Sequence, residues 1–259
     1  MRILLLLVTA TAPLLAQLPA PNAVGVSTGH LHLMVRDPDA HKKIWVESLG
    51  AQVTKSGTLE LLKLPGMFLL LGKADRADGS EGSAVDHFAF RAKDLAAVKA
   101  KLSSAGVQIV REGGTPKEIV TMFPDKVKVE FYEDTTLTVP ISFTHIHFFT
   151  SDPDGLKAWY TKVFGATTAP RGSGTVTSVP GTEFSFRKTD APQAATKGRS
   201  LDHIGFEVKG LEAFCKKLQA DGVPFDAPFR DIPGIGLKIA FIVDPAGTRI
   251  EMTEGLAGL

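Results

Sequence analysis

Alternation of apolar and polar residues over strand-length stretches occurs at four places along this chain, each time just ahead of a helix start. In Gly29-His30-Leu31-His32-Leu33-Met34-Val35, successive side chains of a strand point to opposite faces. Leu31, Leu33 and Val35 therefore share one face, and His30 and His32 the other. The same alternation puts Phe88, Phe90 and Ala92 together, then Ile146 and Phe148, then Ile204, Phe206 and Val208. These apolar faces are expected to pack under helices, which turns the histidine face toward a concave surface.

Each opening strand leads into a helix. Asp37 is placed to cap one with Pro38 at its first position, and Gly50 to stop it. The pattern then predicts strands over residues 51–54, 59–64 and 67–71, with turns at Ser56-Gly57 and Pro65-Gly66. The unit reads as one strand, one helix and three strands. It returns with a helix over 95–105 closed by Gly106, a helix carrying Trp159, Tyr160, Val163 and Phe164 before Gly165, and a helix ending at Asp221-Gly222. The units open at His30, His87, His145 and His203, at intervals of 57, 58 and 58 residues. Each histidine stands seven residues before Asp37, Asp94, Asp152 or Gly210, so the chain is a fourfold repeat. Polar stretches over 74–83 and 190–198 read as connectors.

Composition narrows the class. The 259 residues carry a formal net charge of +1, which gives no electrostatic reason to expect nucleic acid or an anionic membrane as partner and leaves small molecules. Residues 1–16 place Arg2 before an apolar run that ends in small residues, the layout of a secretory signal peptide and too short for a bilayer span. Cleavage is expected after Ala16, with Ala20 as the other site, and a periplasmic or secreted mature chain with no membrane contact follows. Cys215 is the single cysteine, so no intramolecular disulfide forms; on the helix face of Leu211, Phe214 and Leu218 it reads as a packing residue.

The even-numbered units end in matching strands, Val129-Glu130-Phe131 and Ile250-Glu251-Met252. If the apolar neighbours pack under helices, Glu130 and Glu251 face the same concavity as the histidines. Taking the halves in chain order, the sets are His30, His87, Glu130 and His145, His203, Glu251. Two imidazoles and a carboxylate on one side of a divalent ion leave positions open for substrate. The plain alternative is hydrogen-bonded histidines inherited from the repeat. His32 and His147 share the face of a candidate ligand and are candidate acid/base or supporting groups. Arg91 and Glu207 point inward and could orient a polar substrate, His41 reads as a surface residue, and Tyr132 and Tyr160 read as packing residues.

With His-x6-Asp at His145 to Asp152 and Asp-Pro-x-Gly-x-x-x-Glu at Asp244 to Glu251, the chain resembles the vicinal oxygen chelate superfamily, which includes glyoxalase I, extradiol dioxygenases, fosfomycin-resistance proteins and bleomycin-binding proteins. The resemblance implies an α+β fold of paired βαβββ modules forming open barrels, with domains at 24–137 and 138–259. It also implies extradiol-type metal ligation by His145, His203 and Glu251. Phe241 stands where the catalytic tyrosine of extradiol enzymes would be, and 232–243 lacks their histidine, which argues against catechol cleavage by the usual route. The second acid of glyoxalase I has only Glu183 as a counterpart, in a register that is not expected to match. The expected function is that of an exported metal-dependent lyase, isomerase or dioxygenase acting on a small oxygen-rich substrate. The divalent ion could be iron, manganese, zinc or nickel. The alternative is a non-catalytic binding or sequestering protein of the bleomycin-resistance type.

Overall fold

A computed structural model describes residues 18–259 apart from residues 77 and 173; the expected signal peptide, 1–16, lies outside the described residues. Module 1 comprises β1 (Val26–Val35), α1 (Pro38–Lys43) running into a π-helical turn (Ile44–Ser48), β2 (Gln52–Ser56), β3 (Leu59–Leu64) and β4 (Met67–Lys73). Module 2 comprises β5 (Val85–Ala92), α2 (Leu95–Ser104), β6 (Gln108–Gly113), β7 (Glu118–Phe123) and β8 (Val127–Glu133). Module 3 comprises β9 (Ile141–Thr150), α3 (Pro153–Phe164), β10 (Thr167–Arg171), β11 (Gly174–Val179) and β12 (Thr182–Lys188). Module 4 comprises β13 (Leu201–Val208), α4 (Leu211–Ala220), β14 (Phe225–Ile232), β15 (Leu237–Val243) and β16 (Arg249–Glu254).

The seven-residue spacing has a local cause. Asp37, Asp94 and Asp152 each accept a hydrogen bond from the backbone N–H three residues on, at 3.0, 2.9 and 2.9 Å. Each therefore caps its helix and fixes where the strand ends. Gly210 holds the same place without a side-chain cap, at φ 74°.

The α+β architecture is two open eight-stranded sheets. Their strand order corrects the expected pairing of modules in chain order. One sheet runs β14-β15-β16-β13-β1-β4-β3-β2 and joins module 4 to module 1; the other runs β10-β11-β12-β9-β5-β8-β7-β6 and joins module 3 to module 2. The units that share a sheet are thus outer with outer and inner with inner, so each sheet crosses between the halves 24–137 and 138–259. Every module offers the same free edge, its first strand, so alternation cannot say which two edges meet. Consecutive modules do touch, but through the apolar faces. Trp45 of module 1 stacks 4.9 Å from Phe123 of module 2, and Phe164 of module 3 lies 4.6 Å from Phe206 of module 4. The four apolar faces pack with helix residues, as their pattern predicted, and all belong to one continuous core.

His41 is also corrected. It is fully buried, with Nε2 3.5 Å from the Asp125 carboxylate, because α1 packs against the Pro124–Lys126 turn of module 2. Periodicity within one helix carries no sign of that neighbour. Cys215 is free and buried, and burial pushes its thiol up to about 11, consistent with packing. Among the described residues no helix is long and apolar enough to cross a membrane.

Candidate metal centres

The sheet order regroups the six candidate ligands. His30 and His87, expected together, lie in different sheets, as do His145 and His203. The outer sheet gathers His30 from β1 with His203 and Glu251 from β13 and β16, all three buried and with ligand atoms within 4.8 Å of one another. The inner sheet gathers His87 and Glu130 from β5 and β8 with His147 from β9, again within 4.8 Å. His145 joins this second group, its Nε2 standing 3.3 Å from Glu130 Oε2 and 2.7 Å from His147 Nε2.

Cross-strand register explains the gathering. Where β1 meets β13, His32 lies opposite His203 and His30 opposite Gly205; where β5 meets β9, His147 lies opposite His87 and His145 opposite Ala89. The parallel partners β16 and β8 then bring Glu251 beside Gly205 and Glu130 beside Ala89. The second histidine of each odd module is thus a direct cross-strand neighbour of the even module's ligand. Their rings are 4.6 Å apart for His32 and His203 and 4.1 Å, stacked, for His147 and His87.

Both centres have the polarity a cation requires. His203 Nδ1 is 2.6 Å from Asp202 Oδ1 while its Nε2 is 2.9 Å from Glu251 Oε2. A neutral imidazole has one N–H and cannot donate to both carboxylates, so a proton or a metal cation must stand at the Nε2 side. His87 repeats this, with Nδ1 2.5 Å from Asp86 Oδ1 and Nε2 3.5 Å from Glu130 Oε2. A carboxylate behind the imidazole is the usual support of a metal-bound histidine. Glu130 Oε2 lies 3.3–3.5 Å from the Nε2 atoms of His145, His147 and His87 yet makes no directed hydrogen bond. About 3–3.5 Å is the separation of neighbouring donors around an ion bound at about 2.1 Å. The residues present therefore fit a divalent ion.

Electrostatics agree. Burial acts to raise Glu251, but hydrogen bonds from His203 and His30 outweigh it and hold the carboxyl well below its usual range. Glu130 is likewise held low, burial being outweighed by the close approach of the His145, His147 and His87 imidazoles. Burial, with neighbouring imidazoles, lowers His32 to about 3 and His147 to about 4, so both stay neutral and can offer lone pairs.

The surroundings of the two centres differ. The outer one opens into a cavity of about 330 Å³ walled by Leu59, Leu70, Leu237, Ile239, Phe241 and Leu256. Phe241 stands edge-on to His203 at 5.3 Å, under the Arg249 guanidinium, which also bonds Asp202 at 3.1 Å. The inner centre opens into a cavity of about 520 Å³ lined by Tyr132, Lys157, Arg171, Thr177, Glu183 and Ser185. Tyr132, expected only to pack, lines this cavity with its ring 5.9 Å from that of His145, while its hydroxyl is engaged by Arg91 Nε at 3.1 Å and Thr144 Oγ1 at 3.0 Å. Its position after Glu130 at the strand end was the available signal. Glu183 pairs in register with His145, but its carboxylate is engaged by Arg171. Glu207 orients no substrate, since it accepts bonds from Thr253 and from the backbone N–H groups of Gly255 and Ala257. Tyr160 is buried and bonds Asp244 at 3.0 Å, and so packs as expected.

The family model of the Glyoxalase/Bleomycin resistance protein/Dioxygenase superfamily matches residues 27–131 and 142–252. Among solved structures, glyoxalase I from Zea mays is similar with a TM-score of 0.71 at 17% identity, over 90% of this chain and 94% of that one. A candidate dioxygenase from Bacillus subtilis is similar with a TM-score of 0.66 at 14% identity, over 93% of this chain and 88% of that one. At these identities the likeness is one of fold. No curated protein sequence matches the chain.

Proposed function

Because the chain belongs to the Glyoxalase/Bleomycin resistance protein/Dioxygenase superfamily, we propose that it is a metal-dependent enzyme acting on a small oxygen-rich molecule that chelates a divalent ion. The carrying observation is the doubled carboxylate, imidazole, carboxylate relay, Asp202-His203-Glu251 and Asp86-His87-Glu130, in which no single proton arrangement on a neutral ring satisfies both acids. His30, His203 and Glu251 would hold one ion, and His87 and Glu130 with imidazole from β9 the other. A bound divalent ion supplies Lewis acidity, polarising a chelated carbonyl or hydroxyl.

The chain's own groups do the rest. Asp86 and Asp202 fix the imidazole tautomers so that Nε2 lone pairs face inward. The apolar walls of the outer cavity exclude water, while Thr177 and Ser185 give the inner one hydrogen-bonding groups for polar substituents. Amino-terminal patterning supports an exported chain.

Metal analysis of the full chain, isolated without chelators, tests the proposal. Two ions per chain are expected, with Glu251→Gln and Glu130→Gln each removing one. Absence of any stoichiometric ion would sink it. The second reading, binding without turnover, is favoured by the apolar outer cavity. Ligand uptake with no product from catechols or hemithioacetals by the metal-loaded chain would select it.

A further inference from the structure

The inner centre contains one imidazole more than a three-ligand set needs. His145 and His147 both project from the concave face of β9, two residues apart, and their Nε2 atoms are 2.7 Å from each other and 3.3 and 3.4 Å from Glu130 Oε2. The strand beside β9 supplies no competing donor. Ser185 of β12 lies opposite His147, and Glu183, opposite His145, is taken up by Arg171.

The outer centre has the same sequence phrase and a different outcome. His32 does not come within 4.0 Å of Glu251, whereas His30 and His203 do, both at 2.9 Å. Its Nε2 is turned toward β4, where the missing side chain of Gly72 leaves the room it occupies: a β-carbon there would be 2.9 Å away. The β4 residue opposite it is Leu70.

Resting on the metal reading above, we infer that the two centres have different ligand sets: the inner ion is held by His87, His145, His147 and Glu130, and the outer by His30, His203 and Glu251 alone. The inner centre is then a three-imidazole, one-carboxylate site built on a His-x-His strand pair. Such a set has more nitrogen character than the outer one and favours nitrogen-preferring ions such as copper, nickel or zinc over manganese. With four protein donors, a six-coordinate ion keeps room for one bidentate oxygen chelator.

Cu2+ is the probe, read by electron paramagnetic resonance of the full chain. In Glu251→Gln, which leaves only the inner centre, the bound copper should show three nitrogen donors. Adding His147→Gln should reduce these to two and weaken copper binding more than about tenfold. Adding His147→Asp should lower the nitrogen count by one while keeping copper bound, which separates lost ligation from lost folding. In Glu130→Gln, which leaves the outer centre, adding His32→Gln should leave two nitrogens unchanged. A nitrogen count indifferent to His147→Gln, or one that falls with His32→Gln, overturns this inference while the metal reading stands. A parent chain that takes up no stoichiometric copper or other divalent ion overturns both.

Discussion

Gly205 lies directly opposite His30 across the β13–β1 pair, and a β-carbon at position 205 would overlap the imidazole ring. The glycine is what allows His30 to lie flat on the neighbouring strand and reach Glu251 at 2.9 Å. At the matching place in the other sheet, Ala89 faces His145, which is half-buried rather than buried.

Gly205→Ala should therefore displace His30 and empty the outer centre while sparing the inner one. Metal analysis should fall from two ions to one per chain. Retention of two ions would show that His30 reaches the ion by another path.

Asp202→Asn removes the carboxylate that fixes His203 through Nδ1 at 2.6 Å. Metal affinity at the outer centre should drop about 10–100-fold, the usual effect of losing such a support. Competition with a chelator of known affinity measures it. Asp86→Asn should act likewise at the inner centre, through His87.

Phe164 is fully buried and touches Phe206 across the module 3 and module 4 contact. Phe164→Ala should cost about 3–5 kcal/mol of stability, the range for emptying an aromatic core position. Denaturant unfolding would read this as a lower midpoint with an unchanged slope.

Burial raises the Asp244 carboxyl from 3.8 to about 6, against the hydrogen bonds from Thr248, Tyr160 and Ala246 that favour its ionised form. Between these values the folded state holds a proton that the unfolded state has released, so stability from this group is complete below pH 4 and declines as pH rises through 6. The decline amounts to about 3 kcal/mol for a shift of about two units. Asp244→Asn should lack it, and comparing parent and variant melting temperatures from pH 4 to 7 isolates this group from the acids at the metal centres, whose shifts run the other way.

Much of the fold was legible because its determinants are local. Alternation fixed which faces are apolar, Asp37, Asp94 and Asp152 fixed the helix starts, and repetition of both fixed the module and its number. The same alternation placed His30, His87, His145, His203, Glu130 and Glu251 on concave faces. Tertiary structure alone decided which of them meet. Four equivalent first-strand edges can pair in more than one way with the same faces buried, so the partnership of module 1 with 4 and of 2 with 3, and with it the regrouping of ligands, is a long-range choice. The burial of His41 against Asp125 and the differing orientations of His32 and His147 have the same origin. They depend on side chains from another module, Asp125 and Glu130, or on room in a neighbouring strand at Gly72, which no periodicity within a single segment can report.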